Sequence, residues 1–328
     1  MFLLRLLTKF PRAIVWHRNS GLGDNILAAA NAWYYAKKIK RTLVICLVYS
    51  RYMTDSRENA FSLFFDVPRE IEGVPIVVEE KMDRVSGMII SYWRFIFPYP
   101  DLICILERFA RKTGITKYMS SLYVPTDGPR GFEFDKRQKE EERIIYGLED
   151  LNQRLLIANS CYSPGDELKP FFDALKLKAR FSRQIDEFAA EHFQGKKVIG
   201  VHVRYYDNKL PAGNHTPFWI DPDQSLHICL DKIQGAVKRA GSSDYIIFLS
   251  TDSRLVNDFI KERISGVVTF NKEFNSDDIQ RYQELPIETA SAAIIEMFLL
   301  AKSDILVRFP PLSWFSYYAS LYAREIVS

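Results

Sequence analysis

Apolar runs and polar interruptions divide the chain into alternating strands and helices, most regularly in its second half. A helix over about Leu168–Phe193 leads into an apolar strand from Val198. Helix Gln224–Arg239, strand Tyr245–Leu249, helix Arg254–Arg263, strand Val267–Phe270, helix Glu288–Lys302 and strand Ile305–Phe309 follow, with a last helix from Leu312. Short apolar strands separated by helical stretches predict a parallel, doubly wound sheet. The first half opens in the same way, with strand Ala13–His17, loop Ser20-Gly-Leu-Gly-Asp24, a helix from about Asn25 to Lys40 and strand Thr42–Val48. Between Asp55 and Asp166 the pattern is less regular, with strands predicted at Val74–Val78, Met88–Trp93 and Leu155–Ala158. The fold class expected is α/β, with an N-terminal domain over 1–193 and a C-terminal, Rossmann-like domain over 194–328.

The chain has 328 residues, enough for two such domains, each with its own core. A 47% apolar and 26% charged composition is that of a folded protein. The net charge of +3 is too small to argue for nucleic acid, though it tolerates an anionic substrate or lipid surface. Cys46, Cys104, Cys161 and Cys229 are widely spaced and form no metal or redox motif, which points to a reducing, cytoplasmic setting. The apolar run in Met1–Phe10 is too short to span a membrane, leaving at most peripheral contact at its inner face.

Candidate chemistry gathers where the predicted strands end. Along Val198-Ile-Gly-Val-His-Val-Arg204, alternation puts Gly200, His202 and Arg204 on one side of the strand and Ile199, Val201 and Val203 on the other. Open α/β sheets bind ligands at that edge, and a permanently charged arginine beside an imidazole suits a phosphate group. A strand-end arginine can equally pair with a carboxylate of the fold. Asp252 and Arg308 close two further strands, and Ser313 and Phe315 stand where a last helix, and with it an anion site, is expected. Asp252 is a carboxylate able to accept the two N–H groups of a guanine edge. In the first half, Gly21 and Gly23 let a ligand approach the backbone, and Asp24 is placed to cap the helix. Asp221-Pro-Asp223 has a metal-binding spacing but opens a helix, so no metal site is assigned to it.

Several segments carry a resemblance: Gly21-Leu-Gly-Asp24, Asn59-Ala-Phe61 with Gly73-Val-Pro-Ile76, Val198 to Arg204, and His215-Thr-Pro-Phe-Trp219. Phe248-Leu-Ser-Thr-Asp252 and Met297-Phe-Leu-Leu-Ala301 with Val307-Arg-Phe-Pro-Pro311 complete the set, which spans nearly the whole chain in order. The chain is similar to the NodZ-type nodulation fucosyltransferases and their glycosyltransferase family 23, which also holds the eukaryotic core α-1,6-fucosyltransferases. The resemblance implies a GT-B architecture, with two Rossmann-like domains facing a cleft and the N-terminal one on the acceptor side. It implies an inverting, metal-independent transfer of L-fucose from GDP-fucose to a glycan hydroxyl, with no cofactor. By the same resemblance, His202 and Arg204 contact the diphosphate, Asp252 the guanine and Ser313 the phosphates, while Arg308 stands in a matching motif. The loop after Arg204 departs from the eukaryotic relatives, which carry a glutamate there. Asp207 and His215 are the candidates for taking the hydroxyl proton, Asp207 ahead of His215. The partners expected are GDP-fucose and a bacterial glycan such as an O-antigen, capsular or lipo-oligosaccharide precursor, with no nucleic acid. A catalytically silent sugar-nucleotide-binding protein is the alternative that the altered loop suggests. A nicotinamide-dependent oxidoreductase fits the fold but lacks the third glycine of the fingerprint and a ribose-binding acid.

Overall fold

In the computed structural model of the chain, residues 12–16, 22–46, 59–79, 119–122, 155–158, 165–205, 222–241, 244–272, 274, 287–309, 311, 313 and 315–327 are described. The chain divides into two compact units, Met1–Leu177 and Lys178–Ser328.

The first unit runs β1 (Ala13–Trp16), α1 (Leu22–Lys38), β2 (Thr42–Ile45), α2 (Ala60–Phe64), β3 (Phe65–Asp66), β4 (Glu70–Ile71) and β5 (Val74–Val78). It continues with β6 (Met119–Leu122), β7 (Leu155–Ala158), a 3-10 turn (Gly165–Leu168), α3 (Lys169–Ala174) and β8 (Lys176–Leu177). Its main sheet has the order β4-β5-β2-β1-β7-β6, parallel except for the hairpin strand β4. The β4–β5 turn places Glu72 at φ 47° and Gly73 at φ 79°. Two positive φ values in succession match a hairpin turn whose twist suits the strands, and only glycine takes the second position without cost. The Glu72 carboxylate is tied to Lys37 at 2.6 Å. Trp33 of α1 is buried and donates its indole N–H to the Ile71 carbonyl at 3.1 Å, which seats the helix on the sheet.

The second unit runs α4 (Ala179–His192), β9 (Lys197–Val203), α5 (Pro222–Ala240), β10 (Tyr245–Thr251), α6 (Arg254–Arg263) and β11 (Val267–Val268). It ends with α7 (Ile287–Leu300), β12 (Ile305–Phe309), α8 (Tyr317–Ser320) and β13 (Glu325–Val327). All five strands are parallel, in the order β11-β10-β9-β12-β13. Ile199, Val201 and Val203 form one core with the apolar stripe Leu226, Cys229, Ile233, Ala236 and Ala240 of α5 and with Val256 and Ile260 of α6. That stripe recurs every three or four residues, which is why α5 is helical and lies on the sheet. The opposite face of β9 turns toward α7. A side chain at Gly200 would lie 2.9 Å from the Ser303 Cβ, so the glycine lets the chain after α7 press against the strand.

Several expected boundaries change. The predicted helix over Leu168–Phe193 breaks at Leu175–Lys178, where β8 leaves to pair with β3 in a small antiparallel sheet. Only its second part, α4, is a long helix. Phe188 on α4 packs edge-on against Phe248 of β10, with ring centroids 5.5 Å apart, so α4 lies in the second unit and the chain divides after Leu177 rather than at residue 193. Of the helix predicted from Leu312, the described residues show only α8, with four residues from Tyr317, and an edge strand, β13, follows it; Leu312 itself lies outside the described residues. Helix α1 starts at Leu22, so Asp24 lies in its first turn and is not its cap. The predicted strand Met88–Trp93 lies outside the described residues. Among the described residues no helix is long and apolar enough to cross a membrane.

Candidate functional site in the second unit

Parallel pairing lines up three strand ends. His202 on β9 is in register with Ser250 on β10 and with Arg308 on β12, and the three side chains stand in a row on the face turned toward α7. Beyond the strand, Arg204 donates its backbone N–H to the Phe309 carbonyl at 2.8 Å, which ties the ends of β9 and β12 together. The Asp252 carboxylate does the same between β9 and β10. Its Oδ1 accepts the Tyr205 N–H at 2.8 Å, and its Oδ2 stands 3.3 Å from Nε of Arg204. The Arg204 side chain is 38% exposed and that of Asp252 22%, so the pair sits at the lip of the sheet with the cation outermost. The sequence left open whether Arg204 pairs with the fold or with a ligand. The structure shows the pairing with Asp252, on one edge of the guanidinium.

Arg308 is turned the other way. Its Nε donates to the Ser316 hydroxyl at 3.1 Å and its Nη2 to the Ser313 carbonyl at 3.0 Å, and the Ser316 hydroxyl also donates to that carbonyl at 3.2 Å. The arginine therefore holds the turn after β12 in place, and burial lowers its pKa from the ordinary value. Ser313 meets Arg308 through its carbonyl, and the described helix after β12 begins at Tyr317. Fixing this turn carries Phe315 over His202, where the two rings stack at 4.9 Å and 24°.

His202 is buried, and its Nδ1 has no hydrogen-bond partner among the described residues. Burial, with the nearby charges of Arg204, Arg308 and Lys272, holds its pKa well below 6.5, so the imidazole is neutral at physiological pH.

Two charged residues at this site were absent from the sequence-based set. Glu296 lies in the middle of α7, and Lys272 follows β11. Their side chains are 3% and 15% exposed, and they form an ion pair at 2.6 Å through Oε2 of Glu296. Burial pushes the Glu296 carboxyl up from its ordinary value against the pull of Lys272, and Asp252 adds to the upward push. The Ser250 hydroxyl is close by, yet Oε1 completes no hydrogen bond among the described residues. One signal was available in the sequence: Glu296 is the only charge in the run Thr289–Leu300, and such a charge on a helix buried against a sheet needs a partner or a ligand. Nothing in the sequence pairs it with Lys272.

The structure thus brings together His202, Arg204, Asp252, Arg308, Ser313 and Phe315. Gly23 and Asp24 belong to α1 in the first unit, Gly23 being buried. Gly21, Asp207 and His215 lie outside the described residues. Among the described residues, no group of three or more histidine, cysteine or acidic side chains is arranged to hold a metal ion. Chemically, the assembled edge offers exposed cationic surface at Arg204, with a buried neutral imidazole and a buried carboxylate behind it, each with an unmet hydrogen bond.

Known proteins are similar to this chain over nearly all of its length. Nodulation protein Z of Sinorhizobium fredii NGR234 is 27% identical over 325 residues, covering 97% of this chain and 93% of that protein. A crystal structure of NodZ α-1,6-fucosyltransferase soaked with GDP-fucose superposes with a TM-score of 0.67 at 26% identity, over 97% of this chain and 94% of that one. POFUT1 in complex with GDP-fucose superposes at 0.53 with 14% identity, a likeness of fold alone. The architecture is accordingly that of the GT-B fucosyltransferases, with a parallel α/β sheet in each unit. The family model for Nodulation protein Z (NodZ) matches residues 11–106 and 133–328, and the chain belongs to that family.

Proposed function

We propose that this chain is a GDP-fucose-dependent fucosyltransferase that moves L-fucose, with inversion and without a metal ion, to a hydroxyl of a bacterial glycan, in an α-1,6 linkage. The observation that carries the reading is the gathering of His202, Arg204 and Arg308 at one sheet edge, in a chain similar over nearly its full length to a NodZ α-1,6-fucosyltransferase whose crystal was soaked with GDP-fucose. A sugar leaving a diphosphate needs no proton on its leaving oxygen. It needs the negative charge that grows as the bond lengthens to be stabilised by groups already in position. Arg204 is such a group, because Asp252 holds one edge of its guanidinium and its side chain reaches solvent. Arg308 acts behind it by fixing the turn that carries Ser313 and Phe315. Asp207, or failing that His215, takes the proton of the attacking hydroxyl.

The residues divide the donor differently from the first expectation. Both oxygens of Asp252 are engaged by β9, which makes it a strut for Arg204. The carboxylate better suited to a guanine edge is Glu296, which faces Ser250, the strand neighbour of His202, and the His202 Nδ1 is open. Guanine offers two N–H donors to a carboxylate, whereas adenine would set a lone pair against it.

The test is transfer by purified protein from GDP-fucose to a glycan library in excess chelator, with the product linkage read by NMR. Transfer is expected to persist in chelator, because fixed cations take the place of the metal. Loss of transfer that only a divalent ion restores would overturn the metal-free mechanism. Equal affinity for GDP and UDP would overturn the donor assignment.

A further inference from the structure

Lys272 is the cation paired with Glu296 behind the sheet edge. A carboxylate buried against a sheet is expensive as an anion and tends to take up a proton, and a protonated Glu296 presents one donor where a guanine edge needs two acceptors. The groups facing Glu296 are Lys272 from the segment after β11 and Ser250 and Asp252 from β10. Those facing His202 are Arg204, Arg308 and the same Lys272. Of these, only Lys272 makes a salt bridge to Glu296, on Oε2 at 2.6 Å, and that contact leaves Oε1 unmet. The ammonium also lies over the ring of Phe274, 5.5 Å from its centroid, and Arg254 lies over the same ring at 5.9 Å. A lysine held by both a ring and a carboxylate has little freedom to leave either.

We propose that Lys272 is a positioning residue for the donor base: by pairing with one oxygen of Glu296 it keeps that carboxylate ionised and turned so that its other oxygen, with the His202 imidazole nearby, reads the guanine edge. This deepens the reading of the chain as a GDP-fucose enzyme and rests on it. A bound guanine then presents its N1–H and exocyclic N–H to the two lone pairs of Glu296 Oε1 and its carbonyl oxygen to an N–H of His202. Lys272 touches no part of the sugar or the phosphates in this arrangement. Its substitution therefore acts on base selection and leaves the chemistry of the transferring bond to Arg204.

Calorimetric titrations with GDP and with inosine diphosphate, which lacks the exocyclic amino group, test this on the full chain. The unmodified protein is expected to prefer GDP. Lys272→Met should weaken GDP binding by roughly 10- to 100-fold at neutral pH, the scale of a lost hydrogen bond to a charged group. It should also erase the preference over inosine diphosphate. Raising the pH should restore part of that preference in Lys272→Met, because the carboxyl then ionises without help, and Lys272→Arg should keep it. A lysine with only a structural role would lower the melting temperature and weaken both nucleotides alike, with an unchanged ratio and pH profile, and that result overturns the proposal. If Lys272→Met does not fold, Glu296→Gln is compared with the pair Lys272→Met plus Glu296→Gln, in which neither buried charge remains. The two should then show the same nucleotide ratio, and a difference between them overturns the proposal. Failure of the underlying reading looks different: the unmodified protein would bind no GDP, or bind GDP and UDP alike.

Discussion

Both units carry a largely parallel sheet with buried polar side chains near strand ends, and Asn59 in one and the His202–Glu296 group in the other are used in opposite ways. In the first unit, Asn59 is buried and fully used. Its Nδ2 donates to the Ile45 and Glu79 carbonyls at 3.0 and 2.9 Å, and its Oδ1 accepts the Phe61 N–H at 2.9 Å. One side chain thus closes the ends of β2 and β5 and caps α2. In the second unit the equivalent edge is charged, and His202 Nδ1 and Glu296 Oε1 are buried without a hydrogen-bond partner among the described residues. Topology treats the two edges alike, so it cannot say which is the ligand site. Hydrogen-bond satisfaction can: a closed polar cluster stabilises the fold, and an open one is held ready for something the fold does not supply.

The largest effect that would break this contrast lies at Arg204. Arg204→Lys keeps the charge but replaces a planar fork by a point charge, so the pairing with Asp252 and a two-pronged phosphate contact cannot both be kept. Turnover at saturating GDP-fucose is expected to fall by about two orders of magnitude or more, comparable with the loss of one preorganised oxyanion donor. The Michaelis constant for the acceptor should change much less. Near-normal turnover in Arg204→Lys would show that this arginine serves only to tie β9 to β10.

How much of this was legible in the sequence depends on the range of the interaction. Strand Ile305–Phe309 and helix Arg254–Arg263 match their predicted limits because their signals are local: an apolar run in the first, and a serine cap at Ser253 with basic residues in the last turn of the second. The row His202, Arg204, Arg308 was also readable, since strand alternation and parallel pairing place it without further information. The segment after Phe309 was not. Its serines and aromatics suit a helix from Leu312, whereas the described helix starts at Tyr317 and Arg308 holds the Ser313 carbonyl and the Ser316 hydroxyl before it. The break between α3 and α4 follows in the same way from pairing with Phe65–Asp66, more than a hundred residues away. The Lys272–Glu296 pair joins two segments 24 residues apart with no pattern linking them. What failed to show was in each case a contact between segments.

A second substitution sharpens the comparison from the other edge. Asn59→Ala removes three hydrogen bonds and leaves the buried Ile45 and Glu79 carbonyls without that donor. The expected loss of stability is about 2–4 kcal/mol, measured by denaturant unfolding. GDP affinity per folded molecule should be unchanged. Glu296→Gln should weaken GDP binding, and because it leaves Lys272 without its anionic partner it should also cost some stability, so its GDP affinity is read per folded molecule. If Asn59→Ala weakened GDP binding while stability held, the division into a closed structural edge and an open ligand edge would be wrong.

The smallest effect concerns pH and belongs to His202. Its folded pKa is held well below 6.5, mainly by burial, so between that lowered value and 6.5 the unfolded chain binds a proton that the folded chain refuses. Stability contributed by the neutral imidazole is therefore complete above about pH 6.5 and declines as the pH falls, by at most about 1.4 kcal/mol per pH unit for a single proton. Glu296 acts with the opposite sign. Its folded pKa is raised, so the folded chain takes up a proton first, and stability is gained as the pH falls through that raised value. The net curve of the unmodified protein mixes the two, and His202→Asn separates them by removing the first. Thermal unfolding of both proteins from neutral to mildly acidic pH should show a steeper decline with the histidine than without it. Parallel curves would mean that His202 takes a proton in the folded state as readily as in the unfolded one, and the picture of a neutral imidazole held beneath Phe315 would fail.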